Sequence, residues 1–362
     1  MNGYRVEYTP LSQLDTLRGA WESLSLGDEM TYFQSFEWMR LMSAITPVPA
    51  GRVDAGIYAV YDADGGLSLL APLWMQTPVG GGITLRGAHV YLLGRRSFSD
   101  YLNFIYRRFD GDAVKALMRH LKDRYRSVTL HFEDIKSESS LSAMIDAVVA
   151  DGTVRLVADS PMRCAMLRLP STYDEWFGSL SKGTRQNLRT AANRSQKDGV
   201  EWIFRADDTD VDRRLCLDLK NRWSSRRDDR LAADVTLGRK LRFMLRRFFV
   251  RNRDIPFGEF NPIVDDPASR LMTLTDASSG EIGAFFNYAV DEPRRQVVVM
   301  TAAVNEKFVR YSPGMLCMSR FIEKVVGEGC VESIDFTRGA EPYKFHLGAT
   351  ERFNRSVTVR LK

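Results

Sequence analysis

Chemistry concentrates in two stretches toward the C-terminal end of the chain. In the first, Val297–Gly329, an apolar strand Val297-Val298-Val299-Met300 runs on to the small residues Ala302 and Ala303. Lys307 and Arg310 follow, then Tyr311-Ser312-Pro313-Gly314 and an amphipathic helix whose buried face is marked by Met315, Met318, Ile322 and Val325. Ser312 is a good N-cap residue and Pro313 suits the first helical position, whose N–H has no helical partner anyway. Gly314 removes a side chain where backbone N–H groups point outward. A lightly capped helix start beside cations is a phosphate site, and a strand ending before it can offer its edge to an extended ligand. The same residues also suffice for a well-built helix start with no ligand.

The second stretch follows at once: Asp335-Phe336-Thr337-Arg338-Gly339-Ala340-Glu341-Pro342-Tyr343-Lys344 gathers carboxylates, a guanidinium, a phenol and an amine at the end of a strand. Attack of an amine or hydroxyl on a thioester needs a base for the proton and a donor for the oxyanion. Asp335 or Glu341 can be the base; Lys344, Tyr343 or Arg338 can be the donor. His346 is a second candidate base, although a lone histidine is more often structural. No Ser-His-Asp array or HExxH metal site is present, so no metal is expected. Cys317 falls within the helix pattern and is expected to be buried, which leaves direct transfer without a cysteine nucleophile.

These residues need a scaffold, and the periodicities supply one. The first half reads as strand Tyr4–Tyr8, helix Leu11–Leu24, a second helix from Gln34, and alternating stretches at Ala55–Tyr61 and Gly66–Gln76. The Gly80–Gly82 turn leads to Ile83–Arg86, then helix Ala113–Tyr125, strand Ser127–Phe132 and helix Leu141–Ala150, with Asp159–Arg163 as a connector. The second half begins with strand Cys164–Leu169 and one long helix Tyr173–Lys197 stopped by Gly199. Helices Val211–Arg226 and Leu237–Val250 follow, then strands Leu271–Asp276, Glu281–Ala289 and Gln296–Ala303 with tight turns between them. Helix Pro313–Val326, strand Val331–Phe336, a short Pro342–Leu347 segment and strand Arg352–Arg360 finish the chain. Both halves follow one order of elements without a literal repeat. The expected fold is therefore α/β (α+β), with two tandem domains at 1–160 and 161–362, each a mixed, mostly antiparallel sheet flanked by helices. The equivalent helix of the first half starts Asp110-Gly111-Asp112, whose acids suit the helix dipole but repel a phosphate. If one half binds a phosphorylated ligand, it is the second.

The 362 residues are 44% hydrophobic and 27% charged, a globular composition with room for two cores. No apolar run approaches the roughly 20 residues of a membrane span, and the first residues do not pattern as a signal peptide. Cys164, Cys216, Cys317 and Cys330 are scattered, as in a reducing compartment, so a cytoplasmic location is expected. The net charge of +5 is uneven, with basic blocks at Lys182–Lys197 and Lys220–Arg253. They serve either as solvated helix faces or as a positive field for a nucleotide cofactor, a tRNA or an acidic glycan.

The chain resembles the CelD/BcsL-type acetyltransferase family, a branch of the GNAT superfamily related to the FemABX aminoacyl transferases. The resemblance spans Phe33-Gln34-Ser35-Phe36-Glu37-Trp38, Ser99-Asp100-Tyr101, and Trp176–Gly199 with Leu180-Ser181-Lys182, Arg185 and Asn187-Leu188. It continues through Tyr311–Met315 and Asp335-Phe336…Gly339…Glu341-Pro342-Tyr343-Lys344. It implies tandem GNAT-like domains and acetyl-CoA or another acyl-CoA as donor. The coenzyme would be held by Ala302, Ala303, Arg310, Ser312, Pro313, Gly314 and Met315, with Tyr343 and Lys344 near the transferring group. The acceptor would be an amine or hydroxyl of a sugar, polysaccharide or related envelope metabolite, bound between the domains. Trp38 and Tyr101 would offer a stacking floor, with Arg185 and Arg338 as further substrate contacts. Two alternatives stand beside it: an aminoacyl-tRNA-dependent FemABX-like transferase, and a non-catalytic module that binds an anionic polymer.

Overall fold

A computed structural model describes residues 3–48, 53–76, 87–94, 99–125, 127–207, 212–233 and 260–362, with the backbone alone at 53 and 226–233. The Gly80–Gly82 turn, the Ile83–Arg86 strand, helix Leu237–Val250 and most of the second basic block lie outside the described residues. The chain divides into two compact units, the first built mainly from residues 1–163 and 353–362, the second from residues 164–254 and 261–352.

In the first unit, β1 (Arg5–Pro10), β2 (Val53–Tyr61), β3 (Leu67–Gln76), β4 (Ala88–Leu92), β5 (Val128–Lys136) and β12 (Thr350–Leu361) lie side by side in that order. All neighbours are antiparallel except β4 and β5, which run parallel across helix α3 (Gly111–Arg124). Before β2 come α1 (Arg18–Leu24) and α2 (Phe36–Ile45), and after β5 comes α4 (Ser140–Ala150). Trp21, Trp38, Tyr58 and Trp74 are fully buried here. The chain's last strand pairs with β5 over Asn354–Arg360, so it completes this sheet. A second domain running to Lys362, as the order of elements suggests, does not take account of that pairing.

The second unit takes β6 (Val154–Arg168) from Cys164 onward. Its order is β6, β11 (Ser333–Arg338), β10 (Gln296–Val304), β9 (Ile282–Asp291), β8 (Arg270–Asp276) and β7 (Trp202–Ala206). Only β10 and β11 are parallel. One face carries α5 (Tyr173–Ser179), α6 (Lys182–Lys197) and, later in the chain, α9 (Pro313–Glu328) over a core that includes Trp176, Phe286, Tyr288, Phe321 and Phe336. The other carries α7 (Arg213–Ala233), which sets Cys216 and Leu219 against Leu271, Phe285 and Ala303, with the single turn α8 (Pro262–Asp265) beside it. The short α10 (Pro342–His346) lies between β11 and β12.

Most expected elements are present, with four differences. Asp159–Arg163 is not a connector but part of a fifteen-residue strand, because its polar, exposed residues hide the strand periodicity. The long helix Tyr173–Lys197 breaks at Leu180, whose ψ of 152° is extended, and restarts where Ser181 caps it by accepting the Thr184 N–H at 3.1 Å. Strands β4 and β7, each five residues, were too short to read from pattern. Among the described residues no helix is long and apolar enough to cross a membrane.

Candidate active site

Strands β10 and β11 begin as a parallel pair and then part. Their register holds at Gln296–Ser333, Val297–Ile334 and Val298–Asp335 and goes no further. A bulge between Val299 and Thr301 turns β10 against β9, while Thr337, at φ 55°, turns the end of β11. The Thr337 hydroxyl donates to Val299 O at 3.1 Å and ties off the last joined rung. Beyond it lies a cleft of about 440 Å³ within the second unit, a volume typical of small-ligand sites.

Alternation along an antiparallel pair fixes which backbone groups of β10 face this opening. Asn305 donates its N–H to Gly283 O of β9 at 2.8 Å, so Ala303 points its backbone toward β9 as well. Ala302 and Val304 then turn theirs to the open edge. At the head of the cleft stands the start of α9. Ser312 is left-handed at φ 47° and makes no side-chain cap, contrary to the N-cap expected for it. Its carbonyl instead accepts the N–H groups of Met315 and Leu316. Among the described residues neither the Ser312 hydroxyl nor the Gly314 N–H has a hydrogen-bond partner, and both residues line the cleft. A Cβ on Gly314 would come 3.1 Å from Val304 Cγ2, so glycine keeps the space between helix start and strand edge open.

Ala302, Ala303, Ser312, Pro313, Gly314 and Met315 therefore all line one cleft, together with Arg338, Glu341, Tyr343 and Lys344. Six expected residues do not line the cleft. Arg310 pairs with Asp198 at 2.6 Å, drawn to the end of α6. Asp335 is buried and accepts the Thr337 N–H at 2.7 Å, which makes it part of the turn rather than an available base. Arg185 donates to the carbonyls of Gly178 and Leu180 and bridges the break between α5 and α6. Trp38 is fully buried in the first unit, with its indole N–H on Ser99 Oγ at 2.8 Å. Tyr101 is buried there too, with the Lys136 ammonium 5.5 Å from its ring centroid. Neither aromatic offers a stacking floor in this structure. His346 does not line the cleft.

Lys344 lines the cleft, but its ammonium is spent. It donates to the carbonyls of Phe336, Arg338 and Gly339 at 3.0, 2.9 and 3.1 Å and pairs with Glu341 at 2.9 Å. An ammonium has three protons, so this lysine organises the turn after β11 and is not poised as an oxyanion donor. Tyr343 differs. Its ring packs against Phe286 and Phe336, and among the described residues its hydroxyl has no hydrogen-bond partner. Burial, with a smaller contribution from Glu341, pushes the phenol above its ordinary value, so it stays protonated. Cys317 is wholly buried, and burial pushes its thiol up as well, which suits a packed side chain and not a nucleophile.

The sequence reading assigned no part of α7 to the site, yet its Lys220 and Trp223 line the cleft. Their signal was the spacing Cys216, Leu219-Lys220, Trp223, one helical stripe on the sheet-facing side. The basic block around them concealed it. Among the described residues no cluster of three or more His, Cys, Asp or Glu side chains could hold a metal ion.

Residues 270–345, from β8 through α10, match the family model described as an acetyltransferase (GNAT) domain. The chain is also similar in structure to FemX, with a TM-score of 0.58 at 10% identity, covering 98% of this chain and 96% of that one. A conserved protein of unknown function from Bacteroides thetaiotaomicron gives a TM-score of 0.52 at 11% identity, with 100% of both chains covered. A tandem GNAT protein from the clavulanic acid biosynthesis pathway covers 99% of this chain and 98% of its own at 13% identity, with a TM-score of 0.46. No curated protein sequence matches the chain. At such identities structural likeness speaks for the fold alone. The family match covers the strands, helix start and turn that wall the cleft, so this part of the chain is a GNAT-type acetyltransferase domain.

Proposed function

We propose that the second unit takes an acyl group from acetyl-CoA or another acyl-CoA and transfers it to an amine or hydroxyl of a sugar, polysaccharide or related envelope metabolite. The observation that carries the donor half is the pairing of an uncapped sixteen-residue helix start with an open strand edge across one cleft. The Gly314 N–H and Ser312 hydroxyl suit a phosphate oxygen at the positive end of the helix. Ala302 and Val304 suit the amides of an extended chain. The acceptor half rests on the resemblance to the CelD/BcsL-type family drawn from the sequence.

The chemistry this arrangement supports is direct. The nucleophile forms a C–N or C–O bond to the thioester carbon, and collapse of the tetrahedral species breaks the C–S bond. Glu341, the carboxylate on the cleft wall, takes the nucleophile's proton, directly or through water. Tyr343 gives its proton to the departing thiolate and regains one from solvent. A neutral phenol with no other hydrogen-bond partner among the described residues is suited to that step.

A cationic wall favours one further reading, in which an aminoacyl-tRNA is the donor, since Lys220 and Arg338 both line the cleft. Thermal stabilisation of the purified protein by coenzyme A, acetyl-CoA, longer acyl-CoAs and bulk tRNA decides between them. Stabilisation by acyl-CoAs supports the proposal. Stabilisation by tRNA alone moves the donor to aminoacyl-tRNA, and no response to any CoA sinks the acyl-CoA reading.

A further inference from the structure

The arginines in the basic block of α6 divide by what they touch. Arg185 holds the break before the helix through the carbonyls of Gly178 and Leu180, and Arg189 lies over the Phe177 ring, 5.3 Å from its centroid. Arg194, in the last turn, crosses instead to the segment that leads into α9, where its Nη1 donates to Arg310 O at 2.7 Å. Val309 and Ser312, on either side of Arg310, both line the cleft. A guanidinium on this carbonyl is therefore at the head of the cleft, beside the uncapped helix start.

Asp198, the residue after α6, fixes that corner. It accepts from Arg310 Nη2 at 2.6 Å and from the Tyr311 hydroxyl at 3.0 Å, which clamps the end of α6 to the turn Glu306–Tyr311. Its charge is matched by Arg310, and Arg194 is left as a further cation. Among the described residues the other N–H groups of Arg194 have no hydrogen-bond partner. Val309 beside it is an aliphatic side chain on the cleft wall that is 63% exposed. A cation next to uncovered apolar surface fits a phosphorylated nucleoside. The guanidinium fork meets phosphate oxygens, and sugar and base cover the aliphatic group.

We infer that this corner receives the adenosine end of the coenzyme, with Arg194 on the 3′-phosphate and Val309 under the nucleoside, a role that rests on the acyl-CoA reading above. In coenzyme A the pyrophosphate leaves the ribose at its 5′ position and the 3′-phosphate leaves the same ring. A coenzyme whose pyrophosphate is on the α9 start thus carries its other anionic group one sugar away. Arg194 is as close in the protein, on a carbonyl two residues before Ser312. The role is binding alone: no bond is made or broken, and no proton moves.

3′-Dephospho-CoA isolates this contact, because it keeps the pyrophosphate, pantetheine and thiol and lacks only the phosphate in question. Wild-type protein is expected to bind CoA about fivefold more tightly than dephospho-CoA by calorimetry, the upper end of what an exposed charge pair contributes. Arg194→Gln keeps an N–H for Arg310 O and loses the charge. It is expected to bring the two ligands within about twofold of each other, with dephospho-CoA binding unchanged. Arg194→Lys is expected to retain part of the preference, and Arg194→Met serves as a second neutral variant should Arg194→Gln fold poorly. A preference that is absent from the wild type, or that survives in the neutral variants, overturns the role of Arg194. Equal weakening of both ligands by Arg194→Gln overturns it too, since the arginine would then only brace the turn. Failure of both ligands to bind wild type removes the acyl-CoA reading itself.

Discussion

The two units carry the same strand–helix–strand crossover and finish it in opposite ways. In the first, β4 and β5 stay paired from Ala88–Val128 to Tyr91–His131, and side chains such as Leu73, Phe104, Leu117 and Leu130 close the space beside them to about 10 Å³, room for one water at most. Its helix α3 starts under a full cap, with Asp110 accepting the N–H groups of Asp112 and Ala113 at 3.0 and 3.1 Å. In the second, the parallel pair parts after three rungs, the cleft beside it is about 440 Å³, and the helix start has no side-chain cap. The contrast teaches that the fold supplies the place for a site and a few residues decide whether it is used. An aspartate cap satisfies the helix start internally; a left-handed serine followed by proline and glycine leaves it for a ligand.

Making the second unit like the first has the largest expected effect. Gly314→Asp sets a carboxylate at the helix start and is expected to abolish stabilisation by acyl-CoAs in a thermal-shift assay, with little change in the unliganded melting temperature. Retained stabilisation would mean that the phosphates lie elsewhere. Next is Tyr343→Phe, expected to slow CoA-thiol release by about 10²–10³-fold with coenzyme binding unchanged, as for loss of a general acid. Because the phenol is held above its ordinary value of about 10, wild-type turnover should show no loss of a required proton as pH rises to that value. A wild-type rate that drops near the ordinary value would remove Tyr343 from the acid role.

Smaller effects concern what holds each helix start and turn in place. Lys344→Met takes the donor from three carbonyls and is expected to destabilise the protein by about 3 kcal/mol in denaturant unfolding, since each stranded buried acceptor costs about 1–3 kcal/mol. A loss below about 1 kcal/mol would show that those carbonyls find water and that the lysine is available for chemistry after all. The smallest change is expected from Asp110→Ala, about 1 kcal/mol for a lost cap, with no gain of coenzyme binding by the first unit. A second coenzyme equivalent in calorimetry of this variant would show that the cap alone kept that unit silent.

Much of the candidate site was legible because its residues are close in sequence. Ser312-Pro313-Gly314 announces a helix start, and the ten residues from Asp335 to Lys344 bring Arg338, Glu341 and Tyr343 to one cleft because a strand end and a tight turn present them together. Strand periodicity likewise located β8, β9 and β10. Reading failed where the outcome depended on distant partners. Trp38, Tyr101 and Arg185 have the chemistry of ligand contacts, yet Ser99, Lys136 and the carbonyls of Gly178 and Leu180 claim them. Arg310 lies two residues from Ser312 and still turns to Asp198. The strand over Asp159–Arg163 was unreadable because its side chains are exposed and do not alternate.

By itself the sequence determined most of the order of elements, the place of the α9 start and the residue types at the β11 turn, all of which follow from hydrogen bonding and sterics within a few residues. Only the tertiary structure decided where the two lysines of the cleft wall reach. Lys344 is satisfied by the carbonyls of its own turn, while Lys220 reaches Ala302 across 82 residues. No local pattern encodes that difference, because it arises when the packing of α7 against β10 and the departure of β11 from β10 set charge and open backbone side by side.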